Sequence, residues 1–338
     1  MVIIVQPGAS PETVEHLIDK VKEMGFTPHP IYGEINTVIA VIGDRTQEAV
    51  EKLEAMPGVD RVVPILRPYK LAGREVQPEP SLVRLADGTE IGGKKVAVIA
   101  GPCAVESREQ FLETAAYVKA AGAQVLRGFL YKARTSPHDF QGLREEGLEL
   151  LAEARELLGM PIITELMDPR DMEKLDPLVD LYQIGARNMQ NYALLAEVGL
   201  GHKPVVLKRG MSASIDDLLK AAEYVLVGGN QQVMLCERGI RTFETITRNT
   251  LDISAVPVLK HFTHLPVLVD PSHASGHDWM VPALARAAVA AGADGLIIET
   301  HRNPAEAQVD AAQALTPEAF RELMSALPAF AHAAGRMM

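Results

Sequence analysis

The sequence has 338 residues, of which 47% are hydrophobic and 23% charged, close to the globular average, so a disordered, collagen-like or coiled-coil chain has no compositional footing. Subtracting 44 acids from 33 bases leaves a formal charge of -11, which repels polyanions and excludes nucleic acid as an expected partner, although a local cluster of Arg and Lys can still hold a small anion. At about 150 residues per domain the length suggests two domains.

The chain opens Met-Val-Ile-Ile-Val-Gln, without a basic leader or an apolar segment long enough for secretion. No run reaches the roughly 18 apolar residues of a membrane helix. Two distant cysteines, Cys103 and Cys236, complete the expectation of a soluble, cytoplasmic protein with no membrane partner and with thiols that are free or metal-bound.

The first 66 residues read as strand, helix, strand, strand, helix, strand. Val2 to Val5 is an apolar run, and Ser10 and Pro11 sit as cap and first residue of a helix whose Val14, Leu17, Ile18 and Val21 recur on one face and which stops at Gly25. Phe26 to Tyr32 and Thr37 to Ile42 follow as strands, Thr46 caps a helix through Val50 and Leu53, and Val59 to Leu66 closes a ferredoxin-like α+β set. Residues 67–94 carry prolines, glycines and charges. Within them Asp87-Gly88, flanked by Leu82 to Leu85 and Thr89 to Ile91, predicts a hairpin capping the next domain.

From residue 95 to 338 short apolar runs recur near 97, 124, 161, 181, 204, 232, 266 and 295, with helical patterns between most of them, such as Phe111 to Ala121, Leu143 to Leu158, Ile215 to Val227 and Val281 to Ala291. Eight strand–helix units over roughly 240 residues match an α/β fold, the (β/α)₈ TIM barrel of about 250 residues. Such barrels build their active sites at the carboxyl ends of the strands, and the residues after each run are unusually rich in chemistry. Arg127, Lys132, Arg134, Arg187, Lys208 and Arg238 form one set: several guanidinium forks around one mouth fit a substrate with several negative charges. Taken singly, each could instead pair with a nearby acid such as Glu237 or Asp139. Cys103, His273 and Glu299, with one or more of Asp270, His277, His301 and Asp310, form the other, a mixed thiolate, imidazole and carboxylate set suited to a borderline divalent ion. No local CxxC or HExxH places two of these together, and a lone buried Cys is usually a small hydrophobe.

At these residues the chain resembles a known family. The segments Ala100-Gly-Pro-Cys-Ala-Val-Glu-Ser107, Lys132-Ala-Arg-Thr-Ser-Pro137, Gln183-Ile-Gly-Ala-Arg-Asn188, Leu207-Lys-Arg-Gly210, Leu235-Cys-Glu-Arg-Gly-Ile-Arg-Thr-Phe-Glu244, Thr247-Arg-Asn-Thr-Leu-Asp-Ile-Ser-Ala-Val-Pro257 and Val269-Asp-Pro-Ser-His273 are similar to those of the 3-deoxy-D-arabino-heptulosonate 7-phosphate (DAHP) synthases, in the variant with an N-terminal ferredoxin-like domain. The resemblance implies condensation of phosphoenolpyruvate with D-erythrose 4-phosphate, the first step of the shikimate pathway towards aromatic amino acids. It implies Cys103, His273, Glu299 and Asp310 as ligands of one divalent ion, Mn²⁺ first and Fe²⁺, Co²⁺ or Zn²⁺ as alternatives. Arg127, Lys132, Arg187, Lys208 and Arg238 would surround phosphoenolpyruvate, and Arg134, Thr135 and Ser136 would hold erythrose 4-phosphate. Asp270 and His301 fall out as neighbours of the metal site.

Glu165 is the candidate for handling the attacking water and Lys132 for donating to the aldehyde side, beside Lys208 as a catalytic cation; a structural ion pair and a pure phosphate clamp are the plainer roles for Glu165 and Lys132. The resemblance further implies a homotetramer and feedback on residues 1–66 by tyrosine or phenylalanine, with His29 and Tyr32 as candidate contacts. Ala133 stands where the family usually has proline; the sister synthases of 3-deoxy-D-manno-octulosonate 8-phosphate carry Lys-Ala-Asn-Arg-Ser there. That activity is one alternative, and a catalytically dead barrel used as a metabolite sensor is another.

Overall fold

The computed structural model describes residues 1–33, 37–43, 46–63, 68–132 and 136–338. The chain divides into two compact units, residues 1–79 with 262–264, and residues 80–261 with 265–338.

The first unit runs β1 (Val2–Val5), α1 (Pro11–Glu23), β2 (Thr27–Tyr32), β3 (Thr37–Ile42), α2 (Gln47–Glu54) and β4 (Val59–Val63). Its four strands are antiparallel in the order β2-β3-β1-β4, the ferredoxin-like arrangement. The caps are those read from sequence: Ser10 Oγ accepts from the Thr13 amide at 3.2 Å, and Thr46 Oγ1 from the Ala49 amide at 3.1 Å. Val14, Leu17 and Val21 of α1 pack with Ile3, Ile39 and Leu53 into one core. The last strand was expected to reach Leu66; β4 ends at Val63, and residues 64–66 lie outside the described ones. Pro28 and Pro30 sit inside β2, which is tolerated because β2 is an edge strand.

The second unit opens with a hairpin, β5 (Val83–Arg84) and β6 (Glu90–Ile91), whose Asp87 side chain accepts from the Thr89 amide at 2.9 Å. Then come the strands β7 (Ala97–Gly101), β8 (Val125–Arg127), β9 (Ile162–Glu165), β10 (Leu181–Ile184), β11 (Val205–Lys208), β12 (Val233–Glu237), β13 (Val267–Val269) and β14 (Gly295–Glu299), all parallel and closed into a barrel. Around them run α3 (Arg108–Ala120), α4 (Leu148–Leu158), α5 (Met172–Leu175), α6 (Tyr192–Leu200), α7 (Ile215–Val227), α8 (Ala255–Phe262), α9 (Pro271–Ser275), α10 (Val281–Ala290) and α11 (Pro317–Ala333). The helix expected from Leu143 begins at Leu148 instead. Arg144 takes a positive φ of 53° and spends its amide on the Leu130 carbonyl, so only a 3₁₀ turn precedes α4.

Val83, Leu85 and Ile91 of the hairpin join Ala97, Val125, Ile163, Leu181, Val206, Met234 and Leu268 in one core. The same cluster runs on through Ile99, Ile297, Cys236 and Phe129, and the hairpin end is marked by Gly92, whose Cβ would meet Pro266 just ahead of β13, the end away from the strand termini that carry the chemistry. Among the described residues no helix is long and apolar enough to cross a membrane.

Candidate active site

The four expected metal ligands converge. Cys103 follows β7, His273 lies in α9 immediately after β13, Glu299 ends β14, and Asp310 lies in the loop beyond it; one donor atom from each falls within 4.8 Å of all the others. The Cys103 thiol donates to Asp310 Oδ2 at 3.1 Å and receives the Lys132 ammonium at 2.6 Å. His273 Nε2 stands 3.3 Å from Glu299 Oε2 and 3.9 Å from Asp310 Oδ2. Its other nitrogen lies 2.8 Å from Asp270 Oδ2, and Asp270 caps α9 by accepting from the His273 amide at 2.9 Å. Asp270 is thus a supporting carboxylate, not a fifth ligand. His301 stands 3.6 Å from Glu106, and His277 Nε2 lies 3.0 Å from the Ile246 carbonyl; neither belongs to the cluster.

The donor set fits a divalent ion. Burial holds the His273 imidazole neutral, as a ligand must be, and an imidazole backed by a carboxylate is the usual arrangement behind a metal. Glu299 Oε1 is buried with no hydrogen-bond partner among the described residues. Burial raises the Glu299 carboxyl, and burial with the Glu299 charge raises the Cys103 thiol. Asp310 moves the other way: burial opposes ionisation, but Lys132, His273 and Arg248 outweigh it. Such a mixed set, with one soft sulfur among harder donors, suits a borderline ion better than Ca²⁺ or Mg²⁺.

A cationic cleft opens beside the cluster. Lys132, Arg187, Lys208 and Arg238 line it with Glu165 and Gln183. Arg127 is fully buried at the end of β8, 3.4 Å from Glu299 and stacked over Phe129, with Nε and Nη2 lacking partners among the described residues. Lys208 pairs with Asp270. Arg187 and Arg238 form no ion pair among the described residues, and Glu237, a suspected neutraliser, pairs with Arg209 at 2.9 Å instead. Burial lowers the Arg238 pKa, and the like charges of Arg248 and Arg187 push the same way. Arg238 is buried, and an unbalanced buried cation is costly without an anion beside it, while Arg187 stands exposed at the cleft.

Glu165, at the end of β9, accepts from Gln183 Nε2 at 3.2 Å. A Cβ at Gly185 would come within 2.1 Å of Glu165 Oε1, so only glycine leaves that carboxylate its place. Ala133, Arg134 and Thr135 lie outside the described residues; Ser136 accepts from the His138 amide at 3.3 Å and is not among the described residues lining the cleft. His29 and Tyr32 lie on β2, in the other unit, with Tyr32 exposed. Three residues went unassigned in the sequence reading: Gln183, Arg248 and Gln313. The first two stood inside quoted motifs, so the signal was there without a role; nothing local marked Gln313.

The profile of the DAHP synthetase I family matches residues 77–332, and that of the DAHP synthase ferredoxin-like domain matches residues 1–67. The chain belongs to the DAHP synthetase I family. It is 45% identical over 335 residues, 99% of each chain, to phospho-2-dehydro-3-deoxyheptonate aldolase of Thermotoga maritima, and the crystal structure of that DAHP synthase superposes with a TM-score of 0.79 over 99% of this chain and 98% of its own. A truncated form of the Thermotoga maritima synthase covers 80% of this chain and 98% of its own, with a TM-score of 0.74. A 2-dehydro-3-deoxyphosphooctonate aldolase of Desulfosudis oleivorans is 30% identical over 72% of this chain and 93% of its own length. The chain is accordingly an enzyme, a 3-deoxy-7-phosphoheptulonate synthase, which sets aside the dead sensor barrel. In this DAHP synthase all eight strands lead to the candidate site: β7, β13 and β14 to the four-donor cluster and β8 to β12 to the cleft.

Proposed function

We propose that this DAHP synthase joins phosphoenolpyruvate to D-erythrose 4-phosphate with the help of one divalent ion, Mn²⁺ in first place, held by Cys103, His273, Glu299 and Asp310. The observation that carries the reading is the pair Arg187 and Arg238, two cations without acid partners among the described residues, in a cleft that borders a four-donor cluster. That combination suits a phosphorylated enol beside a polarised aldehyde.

The reaction consumes one water. A bond forms between the methylene carbon of phosphoenolpyruvate and the aldehyde carbon, the water oxygen adds to the second carbon of the pyruvyl unit, and the carbon–oxygen bond to phosphate breaks, releasing inorganic phosphate. When bound, the ion supplies Lewis-acid polarisation of the aldehyde oxygen. Arg187, Lys208 and Arg238 hold the phosphate, and Arg127, with Nε and Nη2 unpartnered among the described residues, serves the carboxylate by resemblance, so negative charge is met by fixed cations with little reorganisation. The Lys132 ammonium, kept protonated against burial by Cys103, Glu165, Glu299 and Asp310, is placed to give a proton to the developing alkoxide. Glu165, oriented by Gln183, accepts a proton from the attacking water. Arg134, Thr135 and Ser136 take the erythrose phosphate by resemblance. Residues 1–66 act as a regulatory domain for an aromatic amino acid, with His29 and Tyr32 as contacts, in a cytoplasmic homotetramer.

The test is turnover with phosphoenolpyruvate and either erythrose 4-phosphate or arabinose 5-phosphate, with and without EDTA. Turnover should favour the four-carbon sugar, vanish with EDTA and return with Mn²⁺. A kcat/KM as good or better with the five-carbon sugar would reverse the substrate assignment, and full activity in chelator would end the metal claim.

A further inference from the structure

Two consecutive residues given no role so far, Arg248, which also lines the cleft, and Asn249, reach three of the four ligand positions, Asp310 and His273 directly and Glu299 through Gln313. The Arg248 amide donates to the Ser275 carbonyl and the Asn249 amide to the Ala274 carbonyl, at 2.9 and 2.8 Å, so this step of the loop after β12 is stitched along α9. The Asn249 side-chain amide donates to the carbonyl of His273 at 3.2 Å. Arg248 Nη1 then spends its two hydrogens on different partners: Asp310 Oδ1 at 3.2 Å and Gln313 Oε1 at 2.9 Å. Gln313 is buried, and its Nε2 donates onward to Glu299 Oε2 at 3.0 Å.

This geometry adds fixed partners to carboxylates that Lys132, Arg127 and His273 approach from the cluster side. Asp310 sits at a positive φ of 53°, a left-handed conformation uncommon outside glycine, though Asp tolerates it better than most residues. Arg248 takes one carboxylate oxygen and leaves the other facing Cys103, Lys132 and His273. The Gln313 amide, with a cation at its oxygen and a carboxylate at its nitrogen, has one sensible orientation, and it occupies Glu299 Oε2 while Oε1 has no partner among the described residues. The backbone leaves room for the arrangement at Gly276, whose φ is 73° and whose Cβ would meet that of Arg248 at 2.6 Å.

We infer that Arg248 is a positioning residue for the metal site, bracing Asp310 directly and Glu299 through Gln313. The inference rests on the metal reading above. Partners of this kind, one bond removed from the ligands, typically change metal affinity by about 10- to 100-fold.

The experiment is a titration of the metal-free full-length protein with Mn²⁺ alone, by calorimetry or by loss of the free-ion paramagnetic signal, on wild type, Arg248→Ala, Arg248→Lys, Gln313→Leu and the double variant Arg248→Ala/Gln313→Leu, together with the metal-free Tm of each. Arg248→Ala and Gln313→Leu should each weaken Mn²⁺ binding by about 10- to 100-fold, Arg248→Lys should recover part of the loss, and the double variant should lose less than the product of the singles. Metal-free Tm should stay near the wild-type value. If wild type binds Mn²⁺ and Arg248→Ala binds it equally well, the brace is wrong and the metal site stands. If wild type itself takes up no Mn²⁺ or other divalent ion, both fall. A weakened affinity that merely tracks a lower metal-free Tm assigns Arg248 to the fold alone, and an unchanged affinity with a raised KM for either phosphorylated substrate assigns it to substrate binding; each overturns the inference.

Discussion

The role proposed for Glu165 depends on Gly185. Gly185→Ala brings a methyl group to where Glu165 Oε1 now lies, and a displacement of about an ångström in a reacting group costs on the order of 100-fold in rate. We expect kcat to fall by that order with circular dichroism unchanged, and Glu165→Gln to fall by roughly 100- to 10,000-fold, as for loss of a general base; steady-state kinetics at saturating substrates and Mn²⁺ checks both. At this scale the sequence was legible where a residue type has few other uses. Cys103, His273, Glu299 and the unpaired arginines stood out because thiols, imidazoles and clustered guanidiniums at strand ends are hard to explain otherwise. The choice among Asp270, His277, His301 and Asp310 was not legible from spacing, because a ligand that comes from a separate loop leaves no local pattern; only the resemblance pointed to Asp310. Gln313 was hidden for the same reason, its role existing only once the loop folds back on Glu299.

Among the elements, the hairpin and the segment after α8 answer different questions about stability. Ile91 of β6 is fully buried in the barrel core, at the end away from the site, so Ile91→Ala should cost about 2–5 kcal/mol by denaturant melting while leaving kcat and both KM values near wild type. His264 gives a pH dependence. Its Nε2 lies 2.7 Å from the Leu71 carbonyl, and burial pushes its pKa down to about 4 from the ordinary value near 6.5. The folded chain keeps it neutral while the unfolded chain takes up a proton below about pH 6.5, so the unfolded state binds more protons and stability falls as the pH drops from about 6.5 towards 4. The full effect is about 3 kcal/mol at most, and none of it is felt above pH 7. Unfolding midpoints of wild type and His264→Gln between pH 7.5 and 4.5 should converge as the pH falls, the variant showing the shallower slope; parallel curves would contradict the assignment. Strand positions were plain in the sequence because buried parallel strands are short apolar runs between turn signals. The late start of α4 was not, since a positive φ at Arg144 depends on where the Leu130 carbonyl stands.

For the whole molecule, the ferredoxin-like unit contributes nothing to the four-donor cluster or the cleft among the described residues, which leaves it free for the regulatory role proposed above. Deleting residues 1–66 should leave a protein that still turns over phosphoenolpyruvate and erythrose 4-phosphate within a few-fold of the full chain, while tyrosine or phenylalanine should inhibit only the full-length enzyme through a population shift. Equal indifference of both forms to every aromatic amino acid would remove the regulatory role. Metal should also appear in global stability: Mn²⁺ at 100 times its Kd should add about 2.7 kcal/mol to the unfolding free energy, read as a rise in Tm that Cys103→Ser loses in large part.

The two prolines of β2 have a consequence for assembly. Pro28 and Pro30 have no N–H to give, so the inward bonds to β3 must come from Thr27, His29 and Ile31, and the outward side of β2 offers carbonyls with two of its donors missing. A visiting strand would find half a ladder there. The four-stranded sheet is therefore polar in the sense of a one-way connector: extension by a peptide or by a second copy of this unit is blocked at β2 and left to the other edge, β4. Replacing Pro28 and Pro30 together by Thr would restore those donors, and size-exclusion chromatography of that variant should show higher oligomers that wild type does not form.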